Sequence, residues 1–458
     1  MMRYDKYQTV NLPTAQRVPA HWDIKRNRYI FTEMKDEVGE NSSKYMLLSL
    51  SLKGVIPRDI ESGKGKFPEK FDKYKVVEPG YMAFCLFDMD ETPRTVGLSN
   101  SFGMLTGAYT IMKVDGVDPR YVYYYYLGID NIKALRPFYT GLRKTINIST
   151  FLGIKMPIPS IDEQTQMTRF LDWQTSKLNK LINIRKKEIS VLKEKRMALI
   201  NETLTNGIRG SRLKPSRIEG LDYIPEEWQE KELKWYVTSN DESIGGRMPD
   251  DYELDYIDIS TVGFGCLKAK PAHMTFDKAP SRARRIVREG DTVLSTVRTY
   301  LKSVCYIDET LDGHIASTGF SVLRPKAQVY PKLLSYAVCC DYFINAVIKN
   351  SIGTSYPAIN DTKLMTLKLA LPSTLKEQQE LFEYITELTS STDTLISCIS
   401  QEVIALEEMK KRMIIDVTTG QIDVRNVVIP DFEFVDEIEE SAEEYDDLDE
   451  DDASDEEV

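Results

Sequence analysis

Two sets of residues in this 458-residue chain have the types and spacing to hold a polyanion. Arg282, Arg284, Arg285 and Arg288 precede a turn, and Arg298, Thr299, Tyr300 and Lys302 follow soon after. Earlier in the chain Arg136, Tyr139, Arg143 and Lys144 flank Gly141, and the counterpart stretch is Gly353-Thr354-Ser355-Tyr356. Glycine lets a loop turn sharply. Arg and Lys neutralise phosphates, while Arg, Thr, Ser and Tyr side chains can hydrogen-bond phosphate oxygens or base edges. The chemistry these residues point to is recognition of a duplex. The competing reading is a solvated charged loop, since most surface charges only face water.

Reaction chemistry is not encoded in any motif. Gly63-Lys64-Gly65-Lys66 is a basic glycine turn without the spacing that cradles phosphates, and no Gly-x-Gly-x-x-Gly opens a helix after a strand. There is no Asn/Asp-Pro-Pro-Tyr of an amino-methyltransferase pocket, no Gly-x-Ser-x-Gly elbow and no His-Glu-x-x-His helix. The six cysteines form no Cys-x-x-Cys pair and the three histidines lie far apart, so no zinc site is expected. The chain reads as a binder rather than an enzyme, with no catalytic residue and no metal of its own.

Two long helices must position the loops. Ser160 to Gly207 opens with the capping box Ser160-Ile161-Asp162-Glu163. It then carries an apolar seam of Leu171, Leu178, Ile182, Ile189, Leu192 and Leu199. Ser373 to Gly420 repeats the plan, with Thr374 to Glu377 as its capping box and Leu381, Ile385, Leu388, Leu395, Ile399, Leu406 and Met413 as its seam. A narrow seam needs a partner, and the simplest partner for one helix is the other. At a rise of 1.5 Å per residue each would be about 65–70 Å long.

The repeat extends beyond the helices. Pro19 to Trp22 matches Pro225 to Trp228, and Val77 to Gly80 matches Val287 to Gly290. Pro119 matches Pro331, Gly141 matches Gly353, and Ile146-Asn147 matches Ile359-Asn360. Offsets that climb from 206 to 213 describe a duplicated domain with small insertions. The expected order is a first domain over 1–159, a helix over 160–207, a linker over 208–224, a second domain over 225–372, a helix over 373–420 and a tail over 421–458. Strands are expected at Lys75–Val77, Thr110–Val114 and Phe320–Leu323, and one helix over Pro331 to Val347. The fold class is α+β.

The net charge of −12 is set by the tail. Residues 431–458 hold 17 Asp or Glu and no Lys or Arg, which leaves 54 acids against 59 bases and a body of +5. A mildly basic body fits a polyanionic partner, and an acidic run poor in apolar residues is expected to be disordered. No apolar run of membrane-spanning length occurs and the first residues lack a signal-peptide core, so a cytoplasmic protein is expected.

The doubled order of Pro-x-x-Trp, Gly before Ile-Asn, Lys-x-x-x-Pro (Lys155 to Pro159, Lys368 to Pro372), Glu-Gln (Glu163-Gln164, Glu377-Gln378) and a long helix ending in Thr-x-Gly resembles the specificity subunit of type I restriction–modification enzymes. The resemblance covers about residues 17–425. It implies two tandem target recognition domains, each followed by a long helix, with the helices paired as an antiparallel coiled coil about a pseudo-two-fold axis. It implies double-stranded DNA as ligand, read as a bipartite asymmetric target whose half-sites the helices hold at a set spacing. Two methyltransferase subunits using S-adenosylmethionine and restriction subunits using ATP and Mg2+ would be the partners, this chain binding no cofactor itself. The acidic tail is not part of that pattern. The alternatives are a coiled-coil adaptor without DNA specificity and a stand-alone nuclease.

Overall fold

A computed structural model describes residues 3–58, 71–245, 248–354 and 356–437. The Gly63 to Lys66 turn therefore lies outside the described residues. The chain divides into two compact units. One gathers Met1–Lys187 and Ile399–Glu440, and the other is built on Glu188–Cys398. Each long helix, Ile161–Asn206 and Leu375–Thr418, is thereby shared: its halves belong to different units.

In the first unit a four-stranded antiparallel sheet runs Phe31–Met34, Thr110–Val114, Met82–Phe84, Val96–Leu98. In the second unit the sheet runs Val237–Ser239, Phe320–Pro325, Thr292–Ser295, Val304–Tyr306, in the same topological order and the same senses. A strand leading into each long helix, Lys155–Ile158 or Lys368–Pro372, pairs with the segment after the Pro-x-x-Trp motif, Asp23–Arg26 or Trp228–Glu232. The units diverge in what surrounds this frame. The second adds a sheet ordered Ala272–Thr275, Glu253–Ile257, Ile315–Ser317, Ala283–Ile286 with one parallel pair. The first has a hairpin, Leu48–Ser51 with Gly54–Pro57, and the pair Lys75–Val77 with Gly103–Leu105. The architecture is α+β.

The sequence motifs become joints. Both capping boxes form: Glu163 N–H donates to Ser160 Oγ and Glu377 N–H to Thr374 Oγ1, each at 3.3 Å, while the glutamates accept from the backbone N–H of Ser160 and Thr374. The glutamines that follow are almost fully buried. Gln164 Nε2 donates to Pro159 O while its Oε1 accepts from Asp118 N–H, the residue that caps the helix Pro119–Asn131. Gln378 repeats this with Pro372 O and Tyr330 N–H, at the cap of the helix Pro331–Val338. One amide thus ties the start of a long helix to the start of a domain helix. At the other ends Gly207 and Gly420 take φ of +74° and +70°. A Cβ on Gly207 would press on the Pro225 ring, and one on Gly420 would run into Pro19 and Trp22. The end of the second helix therefore packs on the start of the chain, as the end of the first packs on the start of the second domain.

Within each unit the helix halves are antiparallel. In the first, Lys410 donates to Asn179 Oδ1 at 3.0 Å, Arg185 pairs with Glu402 at 3.0 Å and Lys186 with Glu407 at 3.3 Å. In the second, Arg196 pairs with Asp393 at 2.5 Å. The seam differs from its apolar outline. Leu388 and Leu395 are exposed, and the buried positions between Ile385 and Ile399 are Thr389 and Thr392. The helix turns small polar side chains inward where the Leu spacing drifted off the buried face.

Two more expectations are corrected. The helix read over Pro331 to Val347 is two, Pro331–Val338 and Asp341–Lys349. Cys340 is extended at the break, and Asn201 of the first long helix stabilises the new N-terminus by accepting from Asp341 N–H at 3.0 Å. The tail expected to be disordered from 421 is ordered to residue 437, and 438–458 lie outside the described residues. It runs along the first long helix. Gln166 donates to the Val424 and Val427 carbonyls, Ser176 to Glu433 O, Asn179 to Val435 O and Asn183 to Asp436 O. Glu437 then pairs with both Lys186 and Lys410. Backbone capture needs few apolar side chains in the tail, so its composition conceals it.

Replacing Gln378 with Ala strands the Tyr330 N–H and the Pro372 carbonyl in the interior. It is expected to lower the stability of the second unit by about 1–3 kcal/mol in denaturant unfolding. A change of only a few tenths would show that the amide is not a joint.

Candidate nucleic-acid interface

Each unit presents the same junction of two loops. The chain leaves the second sheet strand and reaches a non-glycine residue in the left-handed region, Asp88 (φ 45°) in one unit and Arg298 (φ 49°) in the other. A hairpin closes over it, with Thr140 bridged to Thr145 or Ile352 to Ala358. Gly141 and Gly353 turn these hairpins at φ of +70° and +119°. The loops are fixed together by backbone hydrogen bonds, Ile146 N–H to Leu86 O at 2.9 Å and Ile359 N–H to Thr296 O at 2.8 Å.

The side chains at the junction differ. In the second unit the Arg298 guanidinium lies over the Tyr356 ring, 4.6 Å from its centre, a cation–π contact. Tyr356 and Tyr300 are more than half exposed, Lys302 is exposed with φ 53°, and Thr354 is exposed. Thr299 is buried and bonds Ser351. Ser355 lies outside the described residues. In the first unit Arg143 meets Asp88 through two nitrogens, with Nε to Oδ1 at 3.1 Å. Its guanidinium sits 5.4 Å from the Phe87 ring centre. Lys144 pairs with Glu91 at 2.6 Å and with Asp90 at 3.4 Å, and Arg136 pairs with Asp90 at 2.9 Å. These partners hold the carboxyls of Asp88, Asp90 and Glu91 below the usual carboxylate range, chiefly through the Arg143, Arg136 and Lys144 hydrogen bonds respectively.

Other candidates are placed away from these junctions or turned inward. The Tyr139 hydroxyl is enclosed, and burial, followed by Asp90, pushes it up to about 12. Arg282, Arg284 and Arg285 are half-buried at the edge strand of the second unit's extra sheet. Arg282 bonds Asp258 and Tyr256, and Arg284 stacks 5.2 Å from the Phe276 ring centre. Arg288 belongs to a network: it and Arg324 share Glu242, and Arg324 grips the buried Asp291 through two nitrogens. The structure thus brings Arg298 and Tyr356 together from two separate clusters. It also adds the carboxylates of 88–91, which charge counting alone passed over; the offset of 210 already sets Asp88 opposite Arg298.

The duplicated α+β frame thus carries two unlike loop junctions of one backbone construction. Residues 225–405 match the family described as the type I restriction modification DNA specificity domain. Among curated relatives, the chain is 25% identical over 287 residues to the type I restriction enzyme MjaVIII specificity subunit of Methanocaldococcus jannaschii, covering 60% of this chain and 64% of that protein. It is 28% identical over 114 residues to the type I restriction enzyme HindI specificity subunit of Haemophilus influenzae, covering 24% of each. The chain thus matches under two thirds of the length of these relatives. A chain from a structure of complex assembly and conformational transition in the type I R-M system has the same fold, with a TM-score of 0.52 at 13% identity, over 88% of this chain and 99% of that one. The family match lies in the second half of the chain, and the likeness to type I specificity subunits extends over 60% of it. Among the described residues no helix is long and apolar enough to cross a membrane.

Glu242 gives the Arg288–Arg324 network a pH signature. Arg288 first and Arg324 next hold its carboxyl at about 2, against an ordinary value of 4.5. A depressed carboxyl contributes stability that is present above its ordinary value and is lost as pH falls through the folded one. Thermal unfolding of the second unit is expected to lose stability between about pH 4.5 and 2, and Glu242→Gln to flatten that limb. Arg288→Ala is expected to flatten it as well, and a limb left unaltered by both substitutions would show that this network does not set it.

Proposed function

We propose that this chain is the DNA-recognition subunit of a type I restriction–modification complex. It reads a bipartite, asymmetric duplex target and directs methyltransferase and restriction subunits to it. The observation that carries this reading is the loop junction itself: one backbone construction, present in both units, bearing Asp88 with Arg143 in one and Arg298 with Tyr356 in the other. A frame kept constant while the side chains change is what two readers of two different half-sites require.

Each part has a role the geometry supports. The Arg298 fork over Tyr356 suits paired acceptors, whether two phosphate oxygens or O6 and N7 of a guanine. The exposed rings of Tyr300 and Tyr356 offer faces and hydroxyls at the same edge. Arg143, Lys144 and Arg136 form the corresponding basic edge in the first unit. Adenine methylation would be performed by methyltransferase subunits, two in number, and cleavage by restriction subunits. S-adenosylmethionine, ATP and Mg2+ would be held by those partners, and this chain would supply the address.

Replacing Arg298 with Ala is expected to weaken binding of the assembled complex to its target about tenfold and to lower the slope of log affinity against log salt by about one, as loss of one cationic contact does. Electrophoretic mobility shifts across a salt series would measure both. Unchanged affinity and slope would remove Arg298 from the interface. Purification of the chain from its native host is expected to bring a methyltransferase with it, and its absence would contradict the assignment.

A further inference from the structure

The first unit's basic edge is already occupied by the chain's own anions, and the pairing is built into the backbone. Arg143, Lys144 and Arg136 each meet a carboxylate of the segment 88–91. Asp88 is held opposite Arg143 by its left-handed φ of 45° and by its N–H donating to Arg143 O at 2.8 Å. The pair is two-pronged, the geometry a guanidinium uses for phosphate. The cations are nonetheless at the surface: the side chains of Arg136 and Arg143 are 65% and 71% exposed.

We propose that Asp88, Asp90 and Glu91 are internal stand-ins for backbone phosphates, and that they set sequence selectivity by keeping this edge near neutral until the hairpin is seated on its half-site. This rests on the DNA-recognition reading above. On random duplex the attraction of Arg136, Arg143 and Lys144 is offset by three carboxylates within hydrogen-bond reach. A phosphate gains a cation only by displacing a carboxylate and leaving it close to the DNA. That exchange is nearly neutral in solvent-exposed pairs, so it adds little to non-specific affinity. At the correct half-site, base contacts hold the loops close enough for the exchange to be completed. The device lowers non-specific binding more than specific binding, and binding to random sequence is the main competitor of any site-specific reader.

The test is the triple variant Asp88→Asn, Asp90→Asn, Glu91→Gln. Asn tolerates the left-handed conformation at position 88, and the amides keep the side-chain size. The full chain, in the complex purified from its host, is titrated with random-sequence duplex over a salt series. The variant is expected to bind about tenfold more tightly than wild type, and its log–log salt slope to steepen by two to three, close to one per unmasked cation. Adding Arg143→Ala is expected to take back about one of those. Asp88→Asn alone is expected to steepen the slope by about one, which covers the case of a triple variant that fails to fold. Unchanged or weaker random-duplex binding with an unchanged slope, in either the triple or the single variant, overturns the proposal. If wild type itself fails to bind any duplex at low salt, the DNA-recognition reading falls, and that result is distinguishable because it appears before any substitution is made.

Discussion

The structure depends on antiparallel packing between the halves of two long helices. Neither helix has a seam wide enough to be covered by its own domain alone, and each buries it against the opposite half of the other. The first unit is therefore built from two distant stretches of chain, while the second is built on the continuous stretch Glu188–Cys398. The first unit cannot form from 1–187 without 399–418 closing its core, where Met413, Ile414 and Val417 join Tyr121, Tyr125 and Met167. The second takes Ile200 and Leu204 from the first helix and Leu381 and Ile385 from the second, at the two ends of its own stretch.

The joints explain why short motifs recur at fixed places in an otherwise diverged duplication. A buried glutamine amide can serve a strand end and a helix cap at once, and no apolar residue can replace it without leaving polar groups unpaired. A glycine at each helix end is demanded twice over, by its positive φ and by the proline ring against it. These constraints act on the frame and leave the loop junctions free to change. The same backbone therefore carries an acid–base pair in one unit and a cation–π stack in the other.

What was legible in the sequence follows the range of the interactions. Capping boxes, glycine caps and proline-headed helices are decided within a few residues, and they stand where the sequence puts them. The repeat offsets located equivalent strands across more than 200 residues because the duplication copied them together. Legibility ended where a distant partner decides. Thr389 and Thr392 face inward although Leu388 and Leu395 are the more apolar, since the opposing helix sets the phase. The break at Cys340 depends on Asn201. The tail to Glu437 is ordered by Ser176, Asn179 and Asn183, polar side chains that look solvated until the strap lies over them. At the candidate interface, Arg143 and Arg298 read alike as cations, and only the fold reveals that one faces Asp88 and the other Tyr356.

The most direct test of the account is a genome-wide map of modified adenines in the native host, made with and without this chain. If the two unlike units read DNA as proposed, methylation is confined to a motif of two short, unequal halves separated by a fixed unread gap, and is lost when the chain is deleted. A single unbroken motif, two identical halves, or a methylation pattern indifferent to the deletion would contradict it.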